Sequence, residues 1–279
     1  MNVNKIVTAL ALLGSLLAAV TPAQANPEQD RQNMIKTFKD KFPDLKTEDY
    51  VYGALALNKD ALGQYKSIME FPPYTTELDK AEKLWNTPMK SGKTYADCLP
   101  NGGKMIAGNY PQFDNAKGKV VTLEMVVNDC RTANGEEAWK YGDDKTMGLL
   151  TAHLRTLSDG MKVNIKVEGE AALKAYEDGK KTWYTRKGQL NFSCANCHVL
   201  GAGERVRSEI LSPMIGQATH WPVFRGGSNL VTLQTRYKGC HGSVRHVGDE
   251  PGSERYNNLE YFHTYISNGL PMQASVFRK

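Results

Sequence analysis

The sequence predicts a mainly α-helical protein of two tandem lobes joined by long loops. Three observations lead there. Apolar residues recur at helical spacing in five stretches, a set of landmarks returns in the same order later in the chain, and only the second set contains Cys-x-x-Cys-His. The 279 residues are 41% hydrophobic and 23% charged, an ordinary globular balance that excludes a mainly disordered or fibrous chain. The formal net charge of +5 is mild and scattered, which argues against nucleic acid as a partner.

The elements follow in chain order. Lys5, the apolar run Ile6–Val20 and Ala23-Gln24-Ala25 form the three parts of a secretory signal over residues 1–25. The run is shorter than the ~20 apolar residues needed to span a bilayer. Removal of the signal leaves a mature chain, Asn26–Lys279, with no membrane span. The destination is the periplasm, where disulfides persist. Glu28–Phe42 has Met34, Ile35, Phe38 and Phe42 at helical spacing, and Thr76 is placed to cap a helix through Leu78, Ala81, Leu84 and Trp85. Helices are further expected over Asp144–Ser158, over Glu168–Trp183 and from Ser253 to about Gly269. Val120–Val127 and Lys162–Val167 read as short strands or extended segments, and 99–103, 201–203 and 248–252 as loops.

The cysteines carry the chemistry. Cys194-Ala195-Asn196-Cys197-His198 has the spacing of a c-type haem attachment site. Two thiols one helical turn apart can add to the two vinyl groups of one porphyrin edge, and the next residue presents imidazole to the iron. No second Cys-x-x-Cys completes a four-thiolate zinc site, and no βαβ pattern supports a thioredoxin-like motif. The expected cofactor is therefore one covalently bound haem c.

Cys98, Cys130 and Cys240 remain, and the tandem pattern separates them. Trp85-Asn86-Thr87, Gly92 and Cys98 correspond to Trp183-Tyr184-Thr185, Gly188 and Cys194. Cys130 and Ser158-Asp159-Gly160-Met161 likewise correspond to Cys240 and Ser267-Asn268-Gly269-Leu270. The first copy lacks the haem motif, so Cys98 and Cys130 can approach and form a disulfide, leaving Cys240 unpaired. The expected domains are 26–165, a haem-less cytochrome c-like lobe, and 166–279, a haem-binding catalytic lobe.

His198 is the expected proximal ligand. Met214, Met272, His220 and Cys240 are all candidates for the other axial place, and a thioether there would raise the potential as in electron carriers. Cys240 lies among Arg236, Lys238 and Arg245, cations of the kind that favour a thiolate.

Arg236-Tyr237-x-x-Cys240-His241, Val244-Arg245 and Tyr256-Asn257-x-Leu259-Glu260 resemble the catalytic half of the SoxA family of sulfur-oxidation cytochromes. Gly53-Ala54-Leu55-Ala56-Leu57, Leu99-Pro100-Asn101-Gly102-Gly103 and Asn128-Asp129-Cys130-Arg131 extend the resemblance to about residues 50–279. The match is to the single-haem type, in which a cystine replaces the first haem site.

The resemblance implies that Cys194 and Cys197 hold the haem, with His198 and Cys240 as iron ligands. It makes Cys240 the catalytic cysteine, found in the family as a persulfide, and Arg236 the residue that binds the oxyanion substrate. The implied activity is that of an L-cysteine S-thiosulfotransferase. Thiosulfate is joined oxidatively to a cysteine thiol of the SoxYZ carrier protein, and electrons leave through haem to a small SoxX-like cytochrome in a heterodimer. The family also leads us to expect another arginine from the last helix, whereas residues 256–277 contain no Lys or Arg; Lys238, Arg245 or a neighbouring chain are the candidates to replace it, the alternative being a different handling of substrate. The competing reading is a plain periplasmic electron-transfer cytochrome with no chemistry at Cys240.

Overall fold

The computed structural model describes residues 26–274 and 276–278, apart from 207 and 228. The expected export signal, 1–25, lies outside the described residues. Helices α1 (Pro27–Lys41), α2 (Lys59–Glu70), α3 (Thr75–Asn86) and α4 (Tyr95–Cys98) come first, with a 3-10 segment, Thr47–Leu57, between α1 and α2. A hairpin of β1 (Gln112–Asp114) and β2 (Lys119–Val121) feeds α5 (Leu123–Ala133), and α6 (Met147–Thr156) follows. The second lobe begins with α7 (Glu170–Tyr184), a π-helical turn at Asn196–Leu200, and the paired β3 (Arg205–Val206) and β4 (Glu209–Ile210). A hairpin of β5 (Val223–Arg225) and β6 (Asn229–Val231) then feeds α8 (Leu233–Ser243), before α9 (Glu254–Tyr265) and β7 (Val276–Arg278), which pairs parallel with β5.

The tandem pattern is a structural repeat. Each lobe has a cis X–Pro bond, Tyr110–Pro111 or Trp221–Pro222, ahead of a three-residue hairpin and an 11-residue helix. Thr122 and Thr232 cap those helices by accepting from the Met125 and Thr235 amides, which satisfies donors that the first turn leaves orphaned. Cys130 and Cys240 therefore occupy the same turn of α5 and α8. In the first lobe Cys130 is bonded to Cys98, with Cα atoms 5.9 Å apart, as the repeat predicted. Trp85 packs there against Tyr95 and His153, with ring centroids 5.9 and 5.2 Å away.

Several elements differ from expectation for local reasons. The strand expected over 120–127 stops at Val121, because the Thr122 cap starts α5 and buries Leu123, Val127 and Cys130. The helix expected from Asp144 starts at Met147, because the Asp143 carboxylate accepts from the Lys145 and Thr146 amides and folds that segment as a turn. Thr76 does not cap α3. The helix starts one residue earlier, and the Thr75 hydroxyl donates to the Pro72 carbonyl. Ser253 does cap α9, accepting from the Tyr256 amide.

The larger hydrophobic core cluster runs through both lobes, and a smaller one joins Tyr74 and Leu149 to Phe224 and Leu230. Backbone bonds between 160–163 and 269–272, including Gly160 to Met272 and Val163 to Leu270, tie the lobes together. Within the second lobe α7 crosses α9 at Gly179, where an added Cβ would stand 2.0 Å from the Asn258 carbonyl oxygen. Only hydrogen fits at that crossing. Among the described residues no helix is long and apolar enough to cross a membrane.

Candidate functional site

The haem motif follows α7 directly. The Asn196 side-chain carbonyl accepts from the Ser193 amide and hydroxyl, both at 2.9 Å, which closes the turn that carries Cys194 and Cys197. Burial, and then the nearby Cys240, push the Cys194 thiol up to about 12 and shift Cys197 in the same direction.

His198 is oriented from behind. Its Nδ1 lies 2.9 Å from the Ser212 carbonyl oxygen. A carbonyl only accepts, so Nδ1 carries the proton and Nε2 presents its lone pair, the usual arrangement of a ligating histidine. Burial pushes the His198 pKa down, and the positive charge of Arg236 adds to that shift. The imidazole is therefore neutral and able to bind a metal. A cavity of about 260 Å³ opens beside it, lined also by Arg225, Arg236, Glu209, Gln217 and Trp221.

Helix α8 supplies the opposite part of the site. Leu233, Tyr237 and His241 are buried at four-residue spacing. Tyr237 is hydrogen-bonded to His263 at 2.8 Å and His241 to Tyr256 at 2.9 Å, which fastens α8 onto α9. Arg236 and Cys240, four residues apart, consequently share a neighbouring face. Arg236 is exposed and Cys240 is half-buried.

Of the other candidates for the second axial place, His220 lines the same cavity, whereas Met214 and Met272 do not. Met272 accepts a hydrogen bond from Arg155 at the seam between the lobes. Met214 donates its amide to the His198 carbonyl and so belongs to the segment behind His198. Lys238 is ion-paired with Glu250, and neither Lys238 nor Arg245 lines the cavity. The second guanidinium in the cavity is instead Arg225 at the end of β5. Its signal in the sequence was the repeat itself. Arg225 and Arg236 occupy the places of Asp114 and Val126 in the first lobe.

The surroundings fit a covalent haem. His198, whose Nε2 is left free by the Nδ1 hydrogen bond to Ser212, lines a cavity, and Cys197 and Cys194 stand one and four residues before it. The buried donors Trp183 Nε1 and Lys187 Nζ have no hydrogen-bond partner among the described residues, and haem carboxylates are acceptors that would satisfy them.

Comparison with known proteins agrees with this geometry. The family described as SoxA/TsdA, cytochrome c domain, matches residues 80–163, within the lobe that lacks the haem motif. The chain is 42% identical over 275 residues to the L-cysteine S-thiosulfotransferase subunit SoxA of Chlorobaculum tepidum, covering 95% of each. It is 40% identical over 273 residues to the protein of that name from Allochromatium vinosum, covering 97% of this chain and 96% of the relative. Among solved structures it resembles a chain of the crystal structure of SoxXA from P. pantotrophus, with a TM-score of 0.71 and 31% identity over 78% of this chain and 84% of that one. Identity of this level along nearly the whole length means that the chain belongs to the SoxA family.

Proposed function

We propose that this protein joins thiosulfate oxidatively to a cysteine thiol of a carrier protein, as an L-cysteine S-thiosulfotransferase. The observation that carries the reading is the cavity lined jointly by His198 and Arg236, with Cys240 one helical turn after Arg236 on α8. In the overall step the carrier thiol loses its proton, a sulfur–sulfur bond forms to the outer sulfur of thiosulfate, and two electrons leave.

Two sulfur nucleophiles cannot join unless one becomes electrophilic. A protein sulfur that first bonds thiosulfate and is then displaced by the carrier thiolate solves this, as in thiol–disulfide exchange. Cys240 is that sulfur in our reading. Arg236 offsets the two negative charges of thiosulfate with charge-assisted hydrogen bonds. Cys194 and Cys197 would hold one haem c, with His198 and Cys240 as iron ligands, and the bound haem supplies the electron acceptor. Trp183 Nε1 and Lys187 Nζ would be available as donors to its carboxylates, and the Ser212 carbonyl keeps His198 in the tautomer that leaves Nε2 free.

The second partner is a small cytochrome of the SoxX kind, which takes the electrons onward, and the carrier is of the SoxYZ kind. The mature chain works in the periplasm after loss of residues 1–25. Its haem-less lobe spans 26–165 and its catalytic lobe 166–279. The test mixes oxidised holoprotein, small cytochrome, thiosulfate and carrier. Haem reduction that requires the carrier, together with blocking of the carrier thiol against alkylation, is expected. A carrier thiol that stays fully alkylatable would contradict the proposal.

A further inference from the structure

The two lobes differ at one pair of positions in a way that folding does not explain. In the first lobe the strand β1 ends in Asp114, whose carboxylate accepts from the Ala116 and Lys117 amides at 2.9 and 3.1 Å and so builds the hairpin turn. The matching end of β5 is Arg225, which cannot accept. Gly226 and Gly227, at φ 56° and 110°, supply the left-handed backbone of that turn. Arg225 is thereby released from turn formation, yet its side chain is only 32% exposed.

Its surroundings are unfavourable for a cation. Burial, and then the charge of Arg236, push its pKa down. The carboxylate ion-paired with it among the described residues, Glu209, is 4.0 Å away and 64% exposed, a distance and exposure at which an ion pair contributes little. In the first lobe neither Asp114 nor Val126 places a cation at these sites. Arg225 and Arg236 therefore form a like-charged pair on one cavity, held by strand β5 between β6 and β7 and by helix α8.

We infer that Arg225 is a substrate-binding residue: it and Arg236 form a two-guanidinium clamp for a tetrahedral sulfur oxyanion, and Glu209 at the rim competes with that anion for Arg225. The inference deepens the proposed function and rests on it for the identity of the anion. A dianion relieves the repulsion between the two guanidiniums and accepts planar, paired hydrogen bonds from each. Charge complementarity at the rim also acts on capture, since Glu209 repels incoming anions until Arg225 exchanges it for the substrate.

The experiment uses the holoprotein with its small cytochrome. Steady-state thiosulfate turnover with the carrier is measured beside calorimetric binding of sulfate, an unreactive tetrahedral dianion. Arg225→Ala is expected to raise KM for thiosulfate about ten- to a hundredfold and to weaken sulfate binding by a similar factor. Arg225→Lys should recover part of the loss. Glu209→Gln should move both quantities the other way, by about two- to fivefold, which keeps the idea testable if Arg225→Ala fails to fold. The haem spectrum and reduction potential should stay unchanged in all three.

Unchanged KM and sulfate binding in Arg225→Lys and Glu209→Gln would overturn the clamp while leaving the proposed function intact. A shifted haem potential with unchanged KM would overturn it too, by making Arg225 a partner of the haem carboxylates. If the wild type turns over no thiosulfate but binds sulfate through Arg225, the proposed function fails and the clamp stands.

Discussion

Gly179→Ala tests the helix crossing on which the haem lobe is built. An alanine Cβ would stand 2.0 Å from the Asn258 carbonyl oxygen, 2.7 Å from its carbon and 2.9 Å from the Phe262 Cβ. Carbon contacts settle at ~3.5 Å, so α7 and α9 must part by ~1 Å or more. The obstruction is mostly backbone of α9 and cannot rotate away. Alanine alone would favour the helix by about 1 kcal/mol, whereas overpacking costs about 1–3 kcal/mol, with the upper end expected here. The crossing wins, for a net loss of about 2 kcal/mol and a melting temperature lower by about 4–8 °C in a chain of this size. Gly63→Ala on α2 is the control, since nothing lies within 4 Å of its added Cβ. It should be neutral or slightly stabilising. The assay is thermal and urea denaturation of both variants as holoproteins. A Gly179→Ala protein as stable as the wild type would refute the packing argument.

Three further outcomes are expected. Removing the disulfide with Cys98→Ala and Cys130→Ala opens a loop with a sequence separation of 32 residues, and chain entropy predicts a loss of about 3–4 kcal/mol, read from the urea midpoint; an unchanged midpoint contradicts it. Burial holds the pKa of His241 down at about 4 and that of His263 at about 3. The unfolded chain therefore binds protons from about 6.5 downward while the native state does not, so stability is lost as pH falls from about 6.5 toward those values, with a slope of up to about 1.4 kcal/mol per pH unit for each histidine. A urea midpoint that does not fall between about pH 7 and about pH 5 would contradict that account. Arg236→Ala should keep the haem spectrum and lose about one to two orders of magnitude in kcat/KM for thiosulfate, Arg236→Lys should recover only part, and near-normal kcat/KM in Arg236→Ala would remove its role.

The sequence revealed α1, α6, α7 and α9 because their apolar residues keep helical spacing or their caps are explicit, as with Ser253 on α9. It concealed α8, which carries Arg236 and Cys240. That helix contains Arg236, Lys238, Gly239 and Gly242, and its buried side is made by Tyr237 and His241 through hydrogen bonds to α9. A tertiary anchor of that kind leaves no periodic apolar signal. The disulfide was legible because Cys98 and Cys130 stand where the repeat has Cys194 and Cys240. Arg225 was carried by the same repeat, but its place becomes readable only when β1 and β5 are aligned strand end to strand end. The fate of Lys238 was equally hidden, since its partner Glu250 sits beyond the end of α8.

The central claim is that Cys240 is the sulfur through which thiosulfate is joined to the carrier. The direct test is thiosulfate turnover, with carrier and small cytochrome present, in the Cys240→Ser holoprotein. Covalent haem should survive, because Cys194 and Cys197 are untouched, while the spectrum of the iron changes and thiosulfate-dependent turnover disappears. Near-normal turnover by that variant would contradict the account and leave a plain electron carrier in its place.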